Sequence, residues 1–302
     1  MAKGLVEQLL AKQAWVDQVA DALQPIINDL FNNSGQAGRT VKDALNGVWL
    51  GHPVHPMITD VPVGAWTLAQ VFDVVSAQRG DDAGLDNASD LAVGVGVVAA
   101  VGAAATGFTD WSEVGGIQRK MGLVHGLLNA VSLVFYLGSL ALRLNGGDRA
   151  RARTLSATGY LISATAAYVG GDLVFATGQA VNRNAWVDGP EDYTDLAASQ
   201  DLADGKMHKY DLDGKAVVLL RDDDGLHAFN GTCPHLGGPL WEGELDDHCV
   251  TCPWHGSEFS VIDGEVISGP ATLPQPTYEV RLAGDDVLVR RAEERALRTN
   301  PV

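Results

Sequence analysis

The chain has 302 residues and a formal net charge of −17 at pH 7. The charge is uneven: residues 184–302 hold 23 acidic and 9 basic residues, a net of −14, whereas residues 1–183 hold 15 and 12, a net of −3. Such an acidic C-terminal part argues against nucleic acid as a partner. It favours a protein with a basic face, drawn in by electrostatic steering.

The first 50 residues predict an amphipathic helical segment. Between Gly4 and Leu23, apolar residues recur at helical spacing and are interrupted by Glu7, Lys12 and Asp17. This pattern differs from the continuous apolar stretch of a secretory signal. We expect the segment to pack on the helices that follow, with the membrane surface as the alternative.

Residues 51–180 contain three long runs with almost no charge, at 91–111 (apart from Asp110), 121–142 and 154–171. Each run is about long enough to cross a membrane, and a weaker run covers 61–72. The pattern predicts a bundle of four transmembrane helices, in which small residues such as Gly94 and Gly102 allow close helix contact. A soluble helical bundle is the alternative, favoured by the mean hydropathy of +0.03 for the whole chain.

Four spans would place both ends of the chain on the same side of the membrane. Basic residues flank the spans on both sides in nearly equal number, so the positive-inside rule does not decide the orientation. We expect the C-terminal domain in the cytoplasm, because the N-terminus lacks the pattern of an export signal.

The same topology brings six ionisable residues from four helices to the face from which the C-terminal domain emerges. They are His52, His55, Asp60, Asp110, His125 and Asp172. Ionisable groups at membrane depth usually face a bundle interior and mark functional sites. Three interpretations remain open: a quinone pocket with a proton relay, a metal or haem b site using His52 or His55 with His125, and a structural network that caps helix ends.

The segment Gly51-His-Pro-Val-His-Pro-Met-Ile-Thr-Asp60-Val-Pro resembles the opening motif of an uncharacterised bacterial four-helix membrane domain. The resemblance covers roughly residues 45–180. It implies a fold and brings no established activity.

After an expected linker at 181–198, residues 199–302 predict an all-β domain. The apolar run 216–220 has the composition of a buried strand, and the runs 280–282 and 287–289 flank a hairpin turn signal. Two segments of this domain carry its chemistry: Cys233-Pro-His235-Leu-Gly-Gly238 and Cys252-Pro-Trp-His255-Gly-Ser257, with residues 236–251 between the two Cys–His pairs.

Each segment supplies one thiolate and one imidazole, which together form the ligand set of a Rieske [2Fe-2S] cluster. Zinc is the alternative, but structural zinc sites usually pair Cys with Cys and His with His, whereas each segment here is mixed. Cys249 makes a C-x-x-C pattern with Cys252. Residues three apart on an extended strand point to opposite sides, so we expect Cys249 in the core and not at the metal.

Residues 199–291 resemble the Rieske domain family throughout. The resemblance implies that Cys233 and Cys252 hold one iron, and that His235 and His255 hold the other. Rieske proteins of quinol-oxidising cytochrome complexes carry an additional, disulfide-bonded cysteine in each loop, at the places of Gly238 and Trp254. This sequence is therefore more similar to the Rieske ferredoxins and to the Rieske domains of ring-hydroxylating oxygenases.

Ser257 resembles the serine whose hydroxyl donates to a cluster sulfide in the high-potential members, whereas Phe259 stands where those members often have a tyrosine donor. One donor present and one absent imply an intermediate reduction potential. Residues 268–276 resemble the third loop that shields the cluster, with an ordinary proline-rich turn as the alternative.

Together these features predict a multidomain protein in which an α-helical four-helix transmembrane bundle precedes an all-β Rieske domain. We expect a membrane-anchored carrier that transfers single electrons between a redox protein or reductase and a membrane site or a second protein. The alternatives are a membrane oxidoreductase with its own quinone or haem site, and a redox-sensing module. A Rieske oxygenase is disfavoured, because only residues 292–302 follow the cluster domain.

Overall fold

The computed structural model describes residues 4–198, 202 and 205–292. The chain forms two compact units, Met1–Gln179 and Ala180–Val302. The first is helical and the second consists of β-strands, which confirms the predicted order of a helical domain followed by an all-β domain.

Seven helices form the described part of the first unit. They are α1 (Leu5–Leu10), α2 (Ala14–Asn32), α3 (Gly35–Asn46), α4 (Val54–Gln78), α5 (Ala83–Ser112), α6 (Gly116–Leu144) and α7 (Arg149–Phe175). Carboxylate caps start two of the long helices: Asp82 accepts hydrogen bonds from the Gly84 and Leu85 N–H groups, and Asp148 accepts one from Arg151. Such caps satisfy backbone donors that have no partner within the helix.

Two of the described helices, α5 and α6, are long and apolar enough to cross a membrane. The prediction of four spans is therefore supported for two helices, and α4 and α7 do not meet the same test. The reason is their lower hydropathy: α4 includes His55, Asp60, Gln70 and Asp73, and the uncharged run 154–171 of α7 is rich in Ser, Thr, Tyr and Gly.

The four long helices form two hairpins with matching internal contacts. In the α4–α5 hairpin, His55 Nδ1 donates to the Ala103 carbonyl at 2.9 Å. In the α6–α7 hairpin, His125 Nδ1 donates to the Ala166 carbonyl at 2.8 Å. Four residues beyond each alanine, a glycine leaves room for the ring: a Cβ at Gly107 or Gly170 would lie 2.8 Å or 3.0 Å from the imidazole.

The two hairpins meet through side chains at equivalent positions of α4 and α6. Trp66 stacks on Tyr136 with ring centroids 3.9 Å apart, and each follows the histidine of its own helix by eleven residues. Seven residues further on, Asp73 of α4 pairs with Arg143 of α6 at 2.5 Å. These matched spacings indicate an internal pseudo-twofold repeat, which the sequence analysis missed.

The described part of the second unit contains ten strands in two antiparallel sheets. They are β1 (Thr194–Ala198), β2 (Met207–Leu212), β3 (Lys215–Asp222), β4 (Gly225–Asn230), β5 (Glu244–Asp246), β6 (Cys249–Thr251), β7 (Glu258–Ser260), β8 (Val266–Ser268), β9 (Thr277–Ala283) and β10 (Asp286–Arg291). The larger sheet has the order β1-β10-β9-β4-β3-β2, and the smaller one has the order β5-β6-β7-β8. The strand expected at 216–220 lies within β3, and the expected hairpin is β9–β10.

Strand β3 is buried on both faces, which explains its continuous apolar run. Val217 and Leu219 belong to a core with residues of β9 and β10. Val218 and Leu220 point the other way, into a core that includes Cys233 and Cys252. The alternation follows from the two-residue period of a strand and places the predicted ligand loops against β3.

Residues 181–198, expected to be a linker, belong to the second unit. Their last part is β1, which pairs with β10. Residues 199–201, 203–204 and 293–302 of the expected Rieske domain lie outside the described residues.

Candidate metal centre

The first predicted ligand loop follows β4 and is closed by two backbone hydrogen bonds. The Gly237 N–H donates to the Cys233 carbonyl and the Cys233 N–H donates to the Gly238 carbonyl, both at 2.9 Å. Gly237 has a φ of 86°, a left-handed conformation that glycine adopts at little cost.

The second predicted ligand loop follows β6 and repeats this pattern. The Gly256 N–H donates to the Cys252 carbonyl at 3.0 Å, and the Cys252 N–H donates to the Ser257 carbonyl at 2.8 Å. Gly256 has a φ of 72°. The glycine four residues after each cysteine therefore turns the chain so that the cysteine and the histidine of each loop face the same site.

The four predicted ligands come together. The His235 and His255 ring centroids lie 5.1 Å apart with the rings nearly perpendicular. Cys233 and Cys252 are buried and free of disulfides, and their sulfur atoms share a hydrogen bond. The hydrogen bond from Cys233 lowers the pKa of the Cys252 thiol. Metal ligation requires the thiolate, so this bond favours the ligand form of Cys252.

His235 has the features of an imidazole that can act as a metal ligand. Its Nδ1 atom is buried and has no hydrogen-bond partner in the described part of the chain, which is costly for a polar atom unless something else binds it. Burial, followed by the nearby His255 and Arg183, lowers the pKa of His235 to about 3. The ring is therefore neutral, and Nδ1 can bind iron. The two thiols, two neutral imidazoles and this orphaned nitrogen fit a Rieske cluster.

Ser257 is fully buried beside the second loop. Its Oγ atom accepts a hydrogen bond of 2.9 Å from the Ala271 N–H, which belongs to the predicted third loop. The hydroxyl proton can then be donated to another acceptor, and the cluster sulfide proposed from the resemblance is one. Phe259 is also fully buried, but it has no hydroxyl to donate.

Replacing Ser257 by Ala is expected to lower the reduction potential, because a hydrogen bond to a cluster sulfide stabilises the reduced form. The measurement is a redox titration followed by EPR. The matched variant Phe259→Tyr should shift the potential upward where its new hydroxyl reaches a cluster sulfur. An unchanged potential in Ser257→Ala would show that this hydroxyl does not donate to the cluster.

Gly238 and Trp254 occupy the positions where the resemblance places an inter-loop disulfide in other Rieske proteins. A Cβ built on Gly238 lies 3.4 Å from the Trp254 Cβ, close to the separation of roughly 3.5–4.5 Å in disulfides. The two positions are thus adjacent, although their residues cannot form a bridge. Cys249, expected in the core, lies partly exposed at the start of β6.

Two residues outside the predicted loops support the first loop. The Arg183 N–H donates to the Pro234 carbonyl at 3.0 Å, and the Asn184 side chain donates to the Thr232 carbonyl at 2.9 Å. Sequence reasoning missed both because the segment was expected to be a linker. The one available signal was the polar run Asn182-Arg-Asn184, which can form hydrogen bonds with a loop backbone.

Of the six ionisable residues predicted to converge in the helical unit, the structure brings two together. The His55 and His125 ring centroids lie 6.2 Å apart. His52 Nδ1 bonds instead to the adjacent Pro53 carbonyl, and His52 and Asp60 are exposed. Among the described residues, no hydrogen bond or ion pair joins His52, Asp60, Asp110 or Asp172 to the histidine pair.

Comparison with known families agrees with both resemblances. Residues 192–279 match the family model of the Rieske [2Fe-2S] domain. Residues 51–183 match a family described as "Predicted membrane protein (DUF2231)".

Individual relatives match the Rieske part of the chain. The ferredoxin component of biphenyl 2,3-dioxygenase from Rhodococcus jostii (strain RHA1) is 35% identical over 96 residues, which are 32% of this chain and 90% of that protein. Human apoptosis-inducing factor 3 is 32% identical over 107 residues, 35% of this chain and 18% of that protein. The cytochrome b6-f complex iron-sulfur subunit of Chlorobaculum thiosulfatiphilum is 29% identical over 97 residues, 32% of this chain and 52% of that protein.

The fold and the paired loops are those of a Rieske-type iron–sulfur domain. With a ferredoxin component matched over nearly its whole length, the chain belongs to the Rieske [2Fe-2S] domain family. It spans about a fifth of the human relative and about half of the cytochrome-complex subunit.

Proposed function

We propose that this protein is a membrane-anchored Rieske electron carrier, in which Cys233, His235, Cys252 and His255 hold the cluster. The observation that carries the proposal is the convergence of two buried thiols and two partly exposed imidazoles at one site, where His235 Nδ1 has no hydrogen-bond partner among the described residues. The similarity to a dioxygenase ferredoxin component supports the same function.

When bound, the cluster supplies a one-electron couple. Cys233 and Cys252 would hold one iron as thiolates, and His235 and His255 would hold the other as neutral imidazoles. Because imidazole donates less charge than thiolate, His235 and His255 would favour reduction at their side of the cluster. Burial of the cysteines excludes water from the sulfur side of the site, so electrons enter and leave on the imidazole side.

The surface beside His255 suits a protein partner. Trp254 precedes this ligand and is 56% exposed, and aromatic side chains are enriched in protein interfaces. The acidic character of the domain favours a partner with a basic rim around an apolar centre. A reductase or an oxidised redox protein would meet both requirements.

The helical unit has the polarity of a membrane domain. Large apolar side chains are exposed on all four long helices, including Leu68 and Val71 on α4, Val98 on α5, Val134 on α6 and Leu161 on α7. Polar side chains occupy its interior, as shown by the buried Asp73, Ser89, Arg143 and Ser156. An apolar outside around a polar inside suits lipid better than water. On this basis we propose that the helical unit has four spans.

A second candidate function is a membrane oxidoreductase that binds quinone, haem b or another metal in the helical unit. The observation that favours it is the His55–His125 pair, in which both Nδ1 atoms donate to backbone carbonyls. Bonds of this type hold metal-binding imidazoles in one tautomer, with Nε2 carrying the lone pair. A structural pair that joins the two hairpins is the competing explanation.

Spectroscopy of the full-length protein, purified anaerobically in detergent, tests the proposal. We expect about two irons and two sulfides per chain and a Rieske-type EPR signal on reduction. Stoichiometric zinc without iron would refute the assignment. A Soret band that disappears in His125→Ala would identify a haem, and steady turnover of a quinol would identify an enzyme instead of a carrier.

A further inference from the structure

A cluster of two histidines and one aspartate lies in the Rieske domain, outside the proposed iron–sulfur site. Asp222 ends β3, His227 lies in β4, and His248 lies in the turn between β5 and β6. His227 Nε2 is 3.1 Å from one Asp222 carboxylate oxygen, and His248 Nδ1 is 3.1 Å from the other. One ligand atom from each of the three residues lies within 4.8 Å of the other two.

We propose that Asp222, His227 and His248 form a second metal site, for a divalent transition-metal ion with Zn²⁺ as the reference case. Two imidazole nitrogens and one carboxylate oxygen are donors that zinc binds at about 2.0–2.2 Å. Around a tetrahedral ion, such bonds separate the donor atoms by about 3.4 Å. The two 3.1 Å contacts end on different oxygens of Asp222, and one donor atom from each residue lies within 4.8 Å of the others. Small side-chain rotations would bring the three donors to the tetrahedral separation, and a water molecule can fill the fourth position.

The surroundings of His248 are those of a metal ligand with a supporting carboxylate. Its Nδ1 faces Asp222, while its Nε2 lies 3.1 Å from an Asp224 carboxylate oxygen. A neutral imidazole has one N–H and one lone pair, so it cannot donate to both carboxylates. A proton or a metal ion must therefore lie between His248 and one of them. With a metal on Nδ1, Nε2–H donates to Asp224 in the carboxylate–histidine–metal arrangement known from zinc proteins.

The Asp222 carboxylate is also held in the orientation of a metal ligand. The Asp224 and Gly225 N–H groups donate to its Oδ1 atom at 3.0 and 3.1 Å. These bonds orient the carboxylate, with Oδ2 facing His248.

His248 lies in a left-handed turn that connects β5 and β6. Asp247 and His248 have φ values of 41° and 61°, in the region where Asn, Asp and His are enriched among the residues other than glycine. The turn lies in the smaller sheet, whereas Asp222 and His227 lie in the larger one. A metal ion here would join the two sheets, and the net charge of −14 on residues 184–302 would attract cations.

The test uses the full-length protein in detergent with its iron–sulfur cluster loaded. After incubation with Zn²⁺ and removal of free metal, elemental analysis should find about one zinc ion per chain with the iron content and the Rieske EPR signal unchanged. The variants His227→Gln and His248→Asn should lose this zinc. Asparagine tolerates the left-handed turn, so His248→Asn removes the imidazole while keeping the backbone. His208→Gln, on β2 of the same domain, is the matched control and should keep the zinc.

A further variant distinguishes the proposed metal ligands from the carboxylate of Asp224, which supports His248. Asp224→Asn should weaken zinc binding by about ten-fold, the effect of losing an outer carboxylate, and His248→Asn should weaken it more. The proposal is overturned if the loaded protein binds no zinc, because the cluster is then only a hydrogen-bonded network. It is equally overturned if zinc replaces iron and persists in both histidine variants. An intact EPR signal in each variant shows that the domain has folded.

Discussion

Replacing Cys252 by Ser is expected to remove the iron–sulfur cluster from the protein. Cys252 is buried in the second loop, and the hydrogen bond from Cys233 favours the thiolate form of its sulfur. A serine hydroxyl remains protonated at neutral pH and is a poor ligand for iron. Iron and sulfide per chain should fall to background, and the EPR signal of the reduced protein should disappear.

Cys249→Ser is the matched control for this experiment. Cys249 lies three residues before Cys252. It belongs to β6, where it pairs with Ser260 of the neighbouring strand β7. It lies outside both ligand loops, so its replacement should leave the iron content and the EPR signal as they are in the wild-type protein. Loss of the cluster in Cys249→Ser together with its retention in Cys252→Ser would show that Cys249, and not Cys252, is the thiolate ligand.

The ligand loops could be predicted because their chemistry is local. Each loop carries its cysteine, its histidine and its turn-forming glycine within six consecutive residues, so the chain alone determines which atoms can meet. The role of Arg183 and Asn184 could not be predicted in this way. They contact Pro234 and Thr232 about fifty residues further along the chain, and only the folded backbone brings them together.

The helical unit shows the same division between local and tertiary information. Four long helices follow directly from four apolar runs, and the structure contains all four. The convergence of six ionisable residues was inferred from topology. Topology specifies at which end of a helix a residue lies, but it does not specify how the helix is rotated about its own axis. Rotation places His55 and His125 next to each other, whereas His52 and Asp60 are exposed. The arginines at the start of α7, counted as flanking charges, are in part ion-paired within the bundle: Arg149 contacts Asp90 and Arg153 contacts Asp86.

Replacing Arg143 by Met is expected to destabilise the helical unit by roughly 3–5 kcal/mol, the usual result of leaving one partner of a buried ion pair without the other. The Arg143 side chain is fully buried and donates to Asp73, Asp90, Ser89, Ser139 and Ser156. Without it, the Asp73 carboxylate stays buried at the contact between the two hairpins. The measurement is the thermal unfolding midpoint of the full-length protein in detergent, followed by helical circular dichroism.

Two further variants show whether the lost charge pairing is the cause. Arg151 lies at the same end of the bundle and is mostly exposed. Its side chain is 80% accessible and contacts Asp148 at 3.5 Å. Exposed pairs of this kind contribute little, so Arg151→Met should leave the midpoint nearly unchanged. In the double variant Asp73→Leu/Arg143→Met no uncompensated charge remains at this contact, and well-packed apolar replacements of a buried ion pair are often tolerated. Its midpoint should therefore lie above that of Arg143→Met alone. If the double variant is the less stable of the two, the loss comes from packing volume instead, and the Asp73–Arg143 pair does not hold the hairpins together through its charges.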